Sequence, residues 1–171
     1  RFLTFLDPER EPLGAGYHVL QSKIALGSGG LVGKGYLKGT QGQLNFLPEK
    51  ETDFIFTVLG EEAGYIGAAA LIALYALLIM VLLWMAARAW TPFGRLLSAG
   101  PAVLLFVNAS VNIAMTQGLV PVVGAPLPLV SFGGSAMLTT LAGIGLALAA
   151  HAAMAERRDE RLDLFRGGWE R

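Results

Sequence analysis

The strongest constraint in this sequence is the absence of charge from three long stretches. Ala63 to Ala87, Leu96 to Met115 and Ala136 to Met154 hold no acidic or basic side chain, and the last has only Thr139, Thr140 and His151 as polar side chains. At ~1.5 Å per residue each stretch is long enough, as a helix, to cross roughly 30 Å of hydrocarbon. The rival reading, buried helices of a large soluble protein, would need amphipathic neighbours to cover them. With 54% hydrophobic and 15% charged residues the chain has few to offer. The sequence therefore predicts an all-α polytopic membrane protein: a large loop over 1–62, three transmembrane helices within 63–155 and a tail at 156–171.

Charge placement predicts the orientation. The connector Arg88 to Arg95 carries those two arginines and no acid, and the tail carries Arg157, Arg158, Arg161, Arg166 and Arg171. The opposite side has only Lys50 near a span end, and the segment from Thr116 to Ser135 has no charge at all. Basic residues near span ends mark the cytoplasmic side, which puts the tail inside and residues 1–62 and 116–135 outside. Trp84 and Trp90 flank the cytoplasmic connector as interfacial anchors. Thirteen basic and thirteen acidic residues cancel, leaving no basic field for nucleic acid. Cysteine is absent, so disulfides, thiolate metal sites and cysteine nucleophiles are excluded. The chain opens at Arg1 on a polar loop without a signal-like stretch, as expected of a portion of a longer protein.

The outer segments hold the chemistry. Residues 1–53 are too long for a plain connector and too rich in apolar residues for disorder. Within them Tyr17 to Leu26 has near-helical apolar spacing and predicts a short interfacial helix. Gly27 to Gly35 (GSGGLVGKG) resembles a phosphate loop only superficially: Ser28 and Gly35 stand where the nucleotide motif needs glycine and Ser or Thr. Two readings stay open, a cradle for a lipid-linked pyrophosphate and a glycine turn with a solvated lysine. Glu49, Glu51, Asp53, Glu61 and Glu62 crowd the entrance to the first span, where carboxylates are expensive unless hydrated, paired or functional. Thr52 or Asp53 as a helix cap is the structural alternative. Gly118 to Ser135 contains Pro121, Pro126 and Pro128 among glycines, which forbids a continuous helix and predicts a re-entrant or folded loop. Asn108, Ser110, Asn112 and Gln117 are placed to satisfy its backbone or to glue helices together.

Three strings, DPEREPLGAGYHVLQSKIALGSGGLVGKG, GTQGQLNFLPEKETDFIFTVLGEEAGYIG and GLVPVVGAPLPLVSFGGSAML, resemble the outer loops of the SEDS family (shape, elongation, division and sporulation). The match runs from Asp7 to Leu138 in the family's order, and GTQ followed by LNFLPE is more similar to elongation-type than to division-type members. The resemblance implies that the three spans are the last three of about ten, each built to the length a bilayer demands. It also implies polymerisation of lipid II into glycan strands beside a class B penicillin-binding protein and other elongation-complex membrane proteins. The family's essential acid in the TDF motif falls on Asp53. Glu51 stands where histidine is usual and His18 where glutamine is usual, so no role is carried over to either.

On this reading a sugar pyrophosphate anchored by a lipid brings the energy for the glycosidic bond, and no nucleotide, haem or flavin is expected. Asp53 would act as general base. Lys23, Lys34 and Lys38, with Arg10, would offset charge on the leaving pyrophosphate. Polar residues of the matching strings, Gln21, Ser22, Gln41, Glu49 and Ser131, would join them in contacting substrate. Glu49, Glu61 and Glu62 would suit a divalent cation, Mg²⁺ or Mn²⁺, through oxygen ligands. Two rivals are a flippase for the lipid-linked precursor, and a non-catalytic scaffold that recruits a partner through small-residue faces such as Gly143 and Ala147. A division-type polymerase is the alternative within the family.

The orientation is testable directly. A cysteine introduced at position 40 of this cysteine-free chain should react with an impermeant thiol reagent in intact spheroplasts, and one at position 165 should react only after lysis. The reverse pattern would overturn the topology and every outward-facing site with it.

Overall fold

The computed structural model describes residues 15–35, 38 and 52–167. Four helices account for most of them: α1 (Ala15–Ser28), α2 (Ile55–Arg88), α3 (Pro92–Thr116) and α4 (Gly134–Gly167), and no strand occurs among the described residues. α2, α3 and the Gly134–Met154 part of α4 are each long and apolar enough to cross a membrane. α3 packs against both neighbours, and α1 lies across the first turns of α2 and the end of α3. Only 6% of the apolar window of α4 is buried within the chain, so lipid or further protein has to cover the rest.

Local chemistry sets the helix ends. Pro92 opens α3 at a position where its missing N–H is not needed, and the Thr91 hydroxyl accepts from the Gly94 amide at 3.2 Å. Arg95 Nε donates to the Ala89 carbonyl at 2.9 Å and closes the connector, while the Arg88 guanidinium sits 4.5 Å from the Trp84 ring centroid. At its far end α3 stops in a Schellman turn. Gly118 takes φ +68, Leu119 N donates to Ala114 O at 2.8 Å and Gly118 N to Met115 O at 3.0 Å.

Residues 117–133 then run without helix, as their prolines require. Tyr75 lies about 16 Å along α2 from Gly64 at ~1.5 Å per residue, and its hydroxyl donates to the Pro128 carbonyl. Around Leu127 and Pro128 the loop thus lies beside the span and is covered by protein, the condition under which irregular backbone is tolerated at membrane depth. Leu127 is buried there, and Leu129 adopts φ +65, a conformation rare for a residue with a branched side chain.

The structure departs from the sequence expectation at three places. First, α2 begins at Ile55, well before Ala63, because the carboxylate of Glu61 is buried against Lys34 and does not end the helix. Second, α4 continues past Met154 to Gly167, so most of the tail is helical. Third, Gly143 and Ala147 do not form a free small-residue face. A Cβ on Gly143 would lie 3.3 Å from Pro101 Cγ, and Ala147 is fully buried, so this face is used for packing inside the chain.

α2 is also broken. Gly64 has φ 68 and ψ −165, which no helical residue adopts, and two of the bonds that would bridge it, Tyr65 N to Glu61 O and Ile66 N to Glu62 O, are lost. The glycine-rich segment after α1 replaces both. Lys34 N donates to Glu61 O and Gly35 N to Glu62 O, each at 3.0 Å. Tyr65 N donates to Gly30 O at 2.9 Å and Ile66 N to Leu31 O at 3.2 Å. A Cβ on Gly33 would run into the Glu62 carbonyl, so close an approach needs glycine there, and its φ of +82 needs it too. Residues 30–35 are therefore a backbone clip seated in the helix break, and the short helical stub Ile55–Ala63 stands apart from the long span below it.

Candidate functional site

The turn Thr52-Asp53-Phe54 leads into that stub. The helix cap is Phe54, with no side-chain cap bond, so neither Thr52 nor Asp53 holds the capping position open to them on sequence grounds. Asp53 is 8% exposed, and the backbone on both sides of its Cα is anchored. Asn112 Nδ2, projecting from α3, donates to the Asp53 carbonyl at 3.0 Å and to the Ala125 carbonyl at 2.7 Å. The Ser131 hydroxyl donates to the Thr52 carbonyl at 2.5 Å and accepts from the Leu127 amide at 2.8 Å. Gly124, φ +67, passes so near that a Cβ there would lie 3.3 Å from Asp53 Oδ2. The folded loop and α3 thus hold one carboxylate at the head of a short helix, a geometry suited to accepting a proton at a fixed point.

One turn further on, a second junction ties three helices together. Ser22 is fully buried, donates to the Thr116 carbonyl at 2.7 Å and lies 2.6 Å from Thr57 Oγ1. Its hydroxyl is committed within the fold. Thr116 Oγ1 turns back on its own helix to Ile113 O at 2.8 Å.

The expected cationic array is distributed over separate places. Lys34 Nζ donates to Glu61 Oε1 at 2.7 Å, with Glu61 1% exposed and the lysine side chain 30% exposed. Its ammonium is therefore paired with a buried carboxylate and partly exposed. Lys23 lies over Gly118 at the end of α3, where terminal carbonyls favour a cation. Lys38 is exposed, and Gln21 is half-buried with Oε1 lacking a hydrogen-bond partner. Glu49 and Gln41 lie outside the described residues. Among the described residues no three His, Cys, Asp or Glu side chains gather for a metal ion, and the donor set available there, Glu61 against Lys34 with Glu62 half-buried beside it, does not fit a cation site.

Of the predicted residues, then, Asp53 and Ser131 come together and Lys34 and Glu61 come together. Gly124 and Tyr75 carried no signal, because each matters through a contact far away in sequence. Asn112 carried a weak one, as a polar residue inside an uncharged span.

Comparisons with known proteins agree with this architecture. The family profile of FtsW, RodA and SpoVE, described as cell cycle protein, matches residues 1–156. The chain is 60% identical over 151 residues to the peptidoglycan glycosyltransferase MrdB of Escherichia coli (strain K12), covering 88% of this chain and 41% of that protein. It is 43% identical over 148 residues to the probable peptidoglycan glycosyltransferase FtsW of Trichlorobacter lovleyi, covering 86% of this chain and 39% of that protein. The fold is similar to a chain of a peptidoglycan synthase complex that coordinates polymerization and crosslinking, with TM-score 0.73 and 34% identity over 90% of this chain and 41% of that one. The chain thus spans about two fifths of the length of the curated relatives it matches.

Removing the Asn112 amide strands one buried and one partly buried carbonyl, and Asn112→Ala should lower unfolding stability by about 1–3 kcal/mol in the full-length protein in detergent. Asn108→Ala, on the exposed face of the same helix, should stay within about 0.5 kcal/mol of wild type. Equal melting temperatures for the two variants would contradict the anchoring described here.

Proposed function

The chain belongs to the FtsW/RodA/SpoVE family of bacterial membrane proteins, and from that premise we propose that it forms the Asp53-bearing part of a peptidoglycan glycosyltransferase that polymerises lipid II. Carbohydrate polymerisation on the outer side of a membrane has no nucleotide to draw on, so the donor has to arrive activated. A disaccharide-peptide on undecaprenyl pyrophosphate meets that need. An acceptor sugar hydroxyl attacks the anomeric carbon of the donor, the bond to undecaprenyl pyrophosphate breaks with inversion, and Asp53 takes the hydroxyl proton.

The observation that carries this reading is the treatment of Asp53 by its surroundings. Two polar side chains from two different elements, Asn112 and Ser131, are spent on the carbonyls of residues 52 and 53, and neither bond is needed to start the helix. Such support fixes a reacting group within the small tolerance that catalysis requires. The higher identity to MrdB than to FtsW, 60% against 43%, together with the LNFLPE string, supports an elongation role over a division role. The similarity to a chain of a peptidoglycan synthase complex supports a class B penicillin-binding protein as partner. The basic connector and tail support an outward-facing Asp53. Among the described residues Lys23, exposed and set against the end of α3 beside Gly118, supports a cation placed to offset pyrophosphate charge.

Asp53→Asn keeps the side chain's shape and removes the base. Polymerisation of purified lipid II by the full-length protein with its partner should fall by about 10²- to 10⁴-fold, with the melting temperature unchanged. A variant that polymerises near the wild-type rate would make Asp53 a structural residue.

A further inference from the structure

We propose that Lys34 is a positioning residue for Asp53, acting through its buried partner Glu61 and not through the donor pyrophosphate; the proposal rests on the reading of Asp53 as the catalytic base. The stub Ile55–Ala63 lies between two irregular segments. Its head is Asp53, and its tail ends at the Gly64 break, so the continuous helix that would ordinarily fix its direction is absent. Among the described residues its tail and flank are held instead by the clip of residues 30–35, the Ser22 to Thr57 bond on the side facing α1, and the Lys34 to Glu61 ion pair.

The ion pair differs from the others in being charged and asymmetric. Glu61 is 1% exposed and faces the segment that closes the break, whereas the lysine remains 30% exposed. A carboxylate so buried has to be compensated or protonated, and removing the cation takes from Glu61 an ion-pair partner at 2.7 Å beneath the clip. The same Lys34 residue contributes its backbone amide to the Glu61 carbonyl, so side chain and main chain grip one residue of the stub together. Displacing Lys34 therefore loosens the clip, the clip sets the tilt of the stub, and the stub carries Asp53. A shift of about 1 Å at a catalytic group costs on the order of a hundredfold in rate, which is the lever the pair controls.

Two readings of Lys34 now make opposite forecasts. If the ammonium contacts pyrophosphate, its loss cannot be repaired by a change at Glu61. If it compensates Glu61, neutralising both residues repairs the defect. The experiment compares Lys34→Met with the double variant Lys34→Met/Glu61→Gln in the full-length protein, reading melting temperature, kcat and KM for lipid II, alongside wild type and Asp53→Asn. Lys34→Met should lower both the melting temperature and kcat, the latter about tenfold to a hundredfold, with KM changed less than about twofold. The double variant should recover most of both.

A double variant that regains its melting temperature without its turnover overturns the proposal, and so does one that regains neither. A Lys34→Met protein with normal kcat and a raised KM also overturns it, in favour of substrate contact. Should Lys34→Met fail to fold, recovery of folding and turnover in the double variant remains the deciding result. Failure of the underlying reading looks different: Asp53→Asn then polymerises lipid II, whatever the Lys34 variants do.

Discussion

A helix that breaks inside or beside a membrane frees backbone donors and acceptors that no water replaces, and this structure is organised around one such break. At Gly64 two consecutive helical bonds are lost, and residues 30–35 return two donors and two acceptors in register. Leaving such groups unmade costs about 1–3 kcal/mol each, so break and clip have to form together. The glycines follow from this. Gly33 is glycine because its neighbour across the contact is backbone, and Gly64 because its dihedral angles lie where side chains are strained.

From that contact the site follows in a short chain of dependence. The break isolates a stub of two turns, which has no rigidity of its own at that length. It is held at one end by the clip and the Lys34 to Glu61 pair, along its flank by Ser22, and at its head by Asn112 and Ser131. The second irregular segment, 117–133, follows the same logic: Tyr75, Asn112 and Ser131 supply the polar partners that its prolines and its depth deny it. Both irregular segments meet the stub, one at each end. Asp53 is thereby held by tertiary contacts from both segments, in the family of proteins that includes peptidoglycan glycosyltransferases.

Much of this was legible in the sequence because the physics involved is local. Uncharged runs the length of a bilayer announce the three spans, and three prolines in Gly118 to Ser135 announce a loop that is not helix. Asp53 stood out by its motif. What stayed hidden was every feature that depends on a distant partner. Glu61 and Glu62 look like the end of a loop until Lys34, 27 residues earlier than Glu61, is seen to neutralise one of them. Gly64 looks like one more small residue in a span rich in them, since nothing in a single sequence separates a break from close packing. Ser22 reads as a polar surface residue of a substrate loop, yet it is buried because Thr57 and Thr116 converge on it from two other helices.

The most direct test of the account addresses the clip itself. Amide hydrogen exchange at residue resolution, on the full-length protein in a lipid nanodisc, should find Lys34 and Gly35 protected to the same degree as Tyr65 and Ile66, since the four amides belong to one set of bonds. Exchange of Lys34 and Gly35 at the rate of an open loop, while Tyr65 and Ile66 stay protected, would mean that the helix break is satisfied by something else and that the glycine-rich segment holds nothing in place.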